Sequence, residues 1–278
     1  MDSLIARSIY AALALLSFFA VGRPASAEDV FVGVAPPSGG LVSLDQIDHS
    51  AWDALLQKHV DEAGQVSYKA WKASAEDSAA LDAYLAELSR GDASATTTRE
   101  ARLAYWINAY NAVTVKGILR EYPTTSIRNH TAKLWGYNIW KNLKLRVAPQ
   151  PINLDDIEHQ VLRKMNEPRI HFAIVCASIG CPRLLNEAYV PERLDEQLEL
   201  NAQHFFAQKQ NFQLDRGGKT VRLSSILNWF GEDFGDGNQA VLRRISPWLA
   251  DDEARAYVAQ SGISVKYLDY DWGLNEQK

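Results

Sequence analysis

The chain has 278 residues, and its 29 basic and 34 acidic side chains give a formal net charge of −5. That mildly acidic balance, without basic runs, gives no electrostatic reason to expect nucleic acid or an anionic membrane as a partner. Two cysteines are too few for a disulfide scaffold at this length, and no segment after the N-terminal region approaches a membrane span.

Residues 1–27 read as a secretory signal. Arg7 supplies a positive start, residues 9–21 an apolar run too short to span comfortably, and Ala25-Ser26-Ala27 a small-x-small cleavage motif. A retained anchor helix is the alternative. Cleavage leaves Glu28 as the N-terminus of an exported protein, periplasmic or secreted, in which both cysteines meet an oxidising compartment. The 251 residues that remain suit one sizeable core.

Residues 28–46, interrupted by Pro36-Pro37 and Gly39-Gly40, read as an extended arm before a single globular domain over 47–278. The pattern predicts helices at 47–60 and 76–89 with a short strand at 66–68 between them. A third helix is capped by Thr97 with Glu100, runs to Leu119 and is stopped by Pro123. An aromatic loop at 129–141 and a strand at 143–147 follow. A helix at 154–166 starts from Asn153, with Asp155 and Asp156 suited to its dipole. Residues 170–175 are the most strand-like stretch. Pro191 opens a helix over 191–209, and strands near 211–214 and 220–223 flank a turn at Asp215-Arg216-Gly217-Gly218. Helices near 224–230, 238–249 and 252–260 precede a last strand at 263–270. The expected class is α+β, a helix-rich single domain with a small, mainly antiparallel sheet.

Three segments carry possible chemistry. In Tyr105-Trp106-Ile107-Asn108-Ala109-Tyr110-Asn111-Ala112, two amides intrude on an apolar helix surface. Each needs partners, whether backbone in a purely structural tie, water, or a substrate. In the helix at 154–166, Leu154, Ile157, Val161, Leu162 and Met165 form a stripe with Glu158 at its centre and His159 at its edge. A carboxylate placed there pairs with a cation such as Arg102 or Arg169, or it serves a catalytic group. A metal site from Asp155, Asp156, Glu158 and His159 matches no ligand spacing.

The third segment runs from Pro168 to Pro182, a strand entering a turn of small residues with Cys176 at its end. Regular alternation puts His171 and Cys176 on opposite faces, which leaves His159 as the base by elimination. His49, His59, His130 and His204 sit among no other chemical signal. Cys176 is otherwise a buried small side chain, half of a Cys176–Cys181 disulfide, or one ligand of a zinc site with His171 and Cys181.

Together these segments carry a resemblance. With Trp229-Phe230, Asp233-Phe234-Gly235 and Tyr270-Asp271-Trp272-Gly273-Leu274-Asn275, the chain resembles the bacterial branch of the family called domain of unknown function 547, from about 48 to 275. The resemblance implies no activity. Ala177 stands where the family's glycine is expected, which constrains a tight turn after the cysteine.

The leading expectation is a thiol-dependent hydrolase or acyltransferase acting on an amide- or peptide-like bond. Cys176 is its nucleophile and His159 its base, while Glu158, Asn108 or Asn111 orients or donates to the oxyanion. Trp135, Tyr137, Trp140, His171 and Arg169 are the candidate contacts for a small-molecule or peptide-like ligand. The alternatives are a thiol–disulfide protein using Cys176 and Cys181, and a non-catalytic binding domain built on the aromatic loop. No cofactor and no metal is implied.

Overall fold

The computed structural model describes residues 28–35, 40–132 and 136–278, so the expected signal segment and Trp135 lie outside the described residues. The expected arm is tied down: β1 (Val30–Val32) pairs with a later strand, and Leu44 is buried in a short 3₁₀ turn. Helices α1 (Ser50–His59), α2 (Tyr68–Ala73) and α3 (Ala75–Leu88) follow. No strand forms at 66–68. Val66 makes only isolated bridges to Val60 and Glu276 before α2 begins.

The long helix α4 (Arg99–Glu121) is buried on nearly every side, as its small and aromatic residues allow. Its cap is Thr98, which accepts a hydrogen bond from the Ala101 amide (3.2 Å), one residue later than expected. Thr97 is occupied elsewhere, donating to Asp45 (3.0 Å). Gly117 lets Ile139 and Leu143 approach α4, since a Cβ there would lie 2.6 Å from the Ile139 side chain.

A turn of helix, α5 (Ile139–Asn142), leads to β2 (Leu143–Leu145) and β3 (Ile152–Asn153). Strand β2 pairs parallel with β1 and antiparallel with β3. Helix α6 (Leu154–Asp156) is capped by Asn153, whose side-chain oxygen accepts from the Asp156 amide (2.8 Å). It widens into a π-helix (Ile157–Leu162) and tightens into a 3₁₀ turn (Arg163–Met165).

Residues 170–175 are not a strand. Pro168–Phe172 is a 3₁₀ helix and 173–176 is irregular. The β-branched run is overridden because the Asn111 side chain takes its backbone groups. Helix α7 (Leu194–Ala207) precedes the hairpin of β4 (Phe212–Asp215) and β5 (Thr220–Leu223). Helices α8 (Ile226–Trp229), α9 (Asn238–Ile245) and α10 (Asp252–Val258) lead to β6 (Ser264–Tyr267), which pairs parallel with β5. The fold is α+β, with two small sheets that each combine one parallel and one antiparallel pairing.

The apolar interior has two parts. One surrounds α4; the other joins Phe172, Phe205, Phe206, Leu242 and Trp248. The turn 168–172 straddles them, with Ile170 in the first and Phe172 in the second. A cavity opens along that seam. Among the described residues, no helix is long and apolar enough to cross a membrane.

Candidate functional site

Two distant parts of the chain position Cys176. From α4, the Asn111 amide donates to the Ala173 carbonyl (3.0 Å) and accepts from the Val175 amide (2.9 Å). It is a two-point brace on the residues entering the cysteine. From the C-terminal segment, the Gly273 and Asp271 carbonyls accept from the Ile179 and Gly180 amides (2.8 Å each). The fit is close, since a Cβ on Gly180 would meet the Asp271 nitrogen at 3.0 Å. Ala177 adopts φ 58°, the left-handed conformation that glycine takes without steric cost.

Cys176 and Cys181 stand as free thiols in the structure. Their sulfurs lie 2.7 Å apart, and the Tyr270 hydroxyl is 3.2 Å from Cys176 Sγ and 3.0 Å from Cys181 Sγ. The Cys176 amide also donates to Cys181 Sγ (3.0 Å). Hydrogen bonding from Cys181, and then from Tyr270 and Ser178, pulls the Cys176 thiol below its usual pKa despite burial. Burial and the charge on Cys176 push Cys181 upward, so Cys181 remains the thiol that donates. Burial likewise keeps Tyr270 protonated. One thiolate is therefore held between two donors.

Glu158 comes from the π-helix, where the Arg163 amide reaches back five residues to the Glu158 carbonyl. Such wide turns are rare and concentrate at functional sites. Among the described residues, no arginine pairs with Glu158: Arg102 donates to the Ala93 and Ala95 carbonyls, and Arg169 pairs with Glu167, Asp195 and Glu199. Its partner is the Tyr110 hydroxyl, which donates to it at 3.2 Å. Burial first, and then the charge on Cys176, raise its carboxyl pKa to about 7, against the opposing pull of His159 and Tyr110.

The two histidines share a support. His171 is buried, its Nε2 lies 2.7 Å from Asp233 and its ring stacks on Phe230 (centroids 4.3 Å apart). Burial lowers its pKa, against the pull of Asp233. Burial would raise Asp233, but hydrogen bonds from His171 and Arg163 hold it well below the usual carboxylate range. Arg163 donates to both Asp233 oxygens (2.7 and 2.8 Å) and also reaches His159 Nδ1 (3.2 Å). A guanidinium has no acceptor, so Nδ1 must accept, and the protonated Nε2 faces Asp155 at 3.9 Å. Among the described residues, the groups hydrogen-bonded to Cys176 Sγ are Cys181, Tyr270 and Ser178, and His159 is not one of them. The elimination that favoured His159 assumed a strand that does not exist. His159, His171, Glu158 and Cys176 all line one cavity of about 240 Å³.

The other expected residues divide. Trp140 lines the cavity, whereas Tyr137 faces a larger, open depression of about 720 Å³ with Arg120 and His130, whose lining includes neither cysteine. Arg169 lies outside the cavity, as do His49, His59, His130 and His204. Asn108 makes the structural tie: it donates to the Tyr189 carbonyl (2.8 Å) and accepts from the Tyr189 amide (3.0 Å). Each amide thus bonds backbone through both its nitrogen and its oxygen, and neither lines the cavity. Among the described residues, no group of three or more His, Cys, Asp or Glu is arranged to hold a metal ion, so neither acidic-helix nor cysteine–histidine ligation is formed.

Sequence reasoning assigned no role to Tyr110, Arg163, Asp233, Trp229 or Tyr270. Their only signal was membership of the matching motifs, three of which fall after 228. No curated protein and no solved structure matches the chain. Residues 94–206 match the family model described as "Protein of unknown function, DUF547", a stretch that contains α4, the π-helix and both cysteines. That stretch is 113 of the 278 residues, and the match supports membership of the DUF547 family.

Proposed function

We propose that the protein is an exported thiol-dependent hydrolase or acyltransferase acting on an amide- or peptide-like bond. Export rests on the leader-like residues 1–27. The observation that carries the chemistry is the Cys176 sulfur, held in a cavity between the Cys181 and Tyr270 donors, with the protonatable Glu158 in the same wall. In the first step the thiolate attacks the carbonyl carbon, forming a C–S bond and a tetrahedral oxyanion. The C–N bond then breaks, and the departing amine takes a proton from Glu158. In the second step the Glu158 carboxylate removes a proton from water, or from a second amine. That nucleophile attacks the thioester, the C–S bond breaks and the thiolate returns. A carboxyl group with a pKa of about 7 suits both halves, because each protonation state is populated near neutrality. The proton-transfer role passes from His159 to Glu158, and His159 shapes the site beside Asp155.

The direct test is an acyl adduct. Incubation with an activated ester such as p-nitrophenyl acetate, followed by peptide mapping, is expected to place an acetyl group on Cys176. Labelling that is unchanged in Cys176→Ala, or that appears only elsewhere, contradicts the proposal.

The 2.7 Å approach of the sulfurs favours a second reading, thiol–disulfide exchange. The Cys176 thiolate would attack a disulfide RS–SR, releasing RS⁻. Cys181 would then displace the second RS⁻ and close the Cys176–Cys181 bond. With oxidised glutathione, Cys181→Ser would accumulate the mixed disulfide at Cys176, while the unsubstituted protein would proceed to the internal bond. Failure of either thiol to react excludes this reading.

A further inference from the structure

The walls around the sulfur select a charge. Among the described residues, two carboxyl groups, Asp155 and Glu158, and two histidines, His159 and His171, line the cavity, and no lysine or arginine does. One side of the wall is aromatic: Trp229, Tyr270 and Trp272 form one cluster, with ring centroids 4.9 Å (Trp229–Tyr270), 5.7 Å (Trp229–Trp272) and 4.5 Å (Tyr270–Trp272) apart. Trp229 is 45% exposed although it belongs to the cavity lining, so much of its indole surface has no protein cover. These rings already attract cations of the chain itself. The Arg128 guanidinium lies 5.1 Å from the Trp272 ring centre, and that of Arg163 lies 5.3 Å from the centre of Phe230, another lining residue.

We infer that the cavity takes a substrate carrying an organic ammonium group, quaternary or alkylated, beside the bond that Cys176 attacks. The inference rests on the thiol reading given above and names the substrate class for the same site. An ammonium with apolar substituents satisfies both parts of the wall. Its charge is attracted by the ring quadrupoles and by the Asp155 carboxylate, and its alkyl surface is desolvated against indole. A carboxylate or phosphate meets the like charge of Asp155, and the nearby Arg163 guanidinium is already paired with Asp233 and Glu232.

The test is protection of Cys176 from alkylation. Iodoacetamide, a neutral reagent, labels the full chain at pH 7 while one of three probes of similar size is present: benzyltrimethylammonium, benzyl alcohol or phenylacetate. The cation is expected to slow labelling in a saturable manner, the alcohol weakly and the anion not at all. Trp229→Leu removes one ring at an exposed position and should weaken the cation's protection by about three- to tenfold while leaving the protein folded. Phenylacetate or benzyl alcohol protecting as well as the cation overturns the inference, and so does saturable protection by none of the three. If iodoacetamide fails to label Cys176 in the absence of any probe, the thiol reading itself fails, which is a separate outcome.

Discussion

The Tyr270 hydroxyl lies 3.2 Å from the Cys176 sulfur, although 94 residues separate the two in sequence. It arrives there because the segment after β6 returns to hydrogen-bond the cysteine loop through Asp271 and Gly273. The last stretch of the chain therefore helps to set the charge state of the thiol. Tyr270→Phe keeps the ring and removes the donor. One hydrogen bond to a charged group contributes about 1.5 kcal/mol, roughly one pKa unit. The pH at half-maximal alkylation of Cys176 should rise by about that amount, while the melting temperature changes little. An unchanged profile would mean that Cys181 alone stabilises the thiolate.

Asn111 and Asn108 make the same two-point bond to backbone, but only Asn111 braces the residues entering Cys176. Replacing either with leucine strands a buried donor and acceptor, at about 2–4 kcal/mol. The denaturant midpoint should fall in both variants. Under conditions where both remain folded, alkylation of Cys176 should slow in Asn111→Leu and not in Asn108→Leu. Equal effects on the thiol would contradict the brace.

Glu158 makes folding pH-dependent. Its carboxyl is raised from 4.5 to about 7, so the folded state holds a proton that the unfolded chain has already released. The stability contributed is fully present below pH 4.5 and is lost as pH rises through about 7. His49 and His171 are lowered by burial and slope the other way, so the difference from Glu158→Gln isolates the carboxyl. Subtracting the variant's unfolding free energy from that of the unsubstituted protein should give a value that falls between pH 4.5 and 7. Two and a half units set an upper bound of about 3 kcal/mol. A flat difference would show that folding does not raise the Glu158 carboxyl.

Ala177 occupies the left-handed region at φ 58°. The conformation costs a non-glycine residue about 1–2 kcal/mol, part of which glycine returns through its looser unfolded chain. Ala177→Gly should stabilise the protein by up to about 1 kcal/mol, read as a higher denaturant midpoint. Destabilisation would mean that the methyl group packs better than the turn relaxes.

Local signals were legible and remote ones were not. The hairpin was readable because its turn is closed by its own residue, with Asp215 accepting from the Gly218 amide at 3.0 Å. The Asn153 cap was readable for the same reason. The apolar stripe correctly marked Glu158 as a carboxylate removed from water, but the partner that periodicity suggested, an arginine, proved to be the Tyr110 hydroxyl. The stretch 170–175 misled because its backbone partner, Asn111, lies 62 and 64 residues away at the bonded positions. That misreading then excluded His171, which lines the same cavity as Cys176. Tyr270 and Asp233 could not be found by periodicity, since each acts across a long loop of chain.

The central claim is that folding creates a stabilised thiolate at Cys176, and its alkylation as a function of pH tests this most directly. Iodoacetamide rates at Cys176, followed by peptide mapping, should be measured on the folded protein and on the same chain in denaturant. The account predicts a half-maximal rate for the folded protein well below the free-thiol pKa near 8.5. In denaturant the profile should return to that value. A folded profile that coincides with the denatured one, or a Cys176 that is protected until the protein unfolds, would contradict the account.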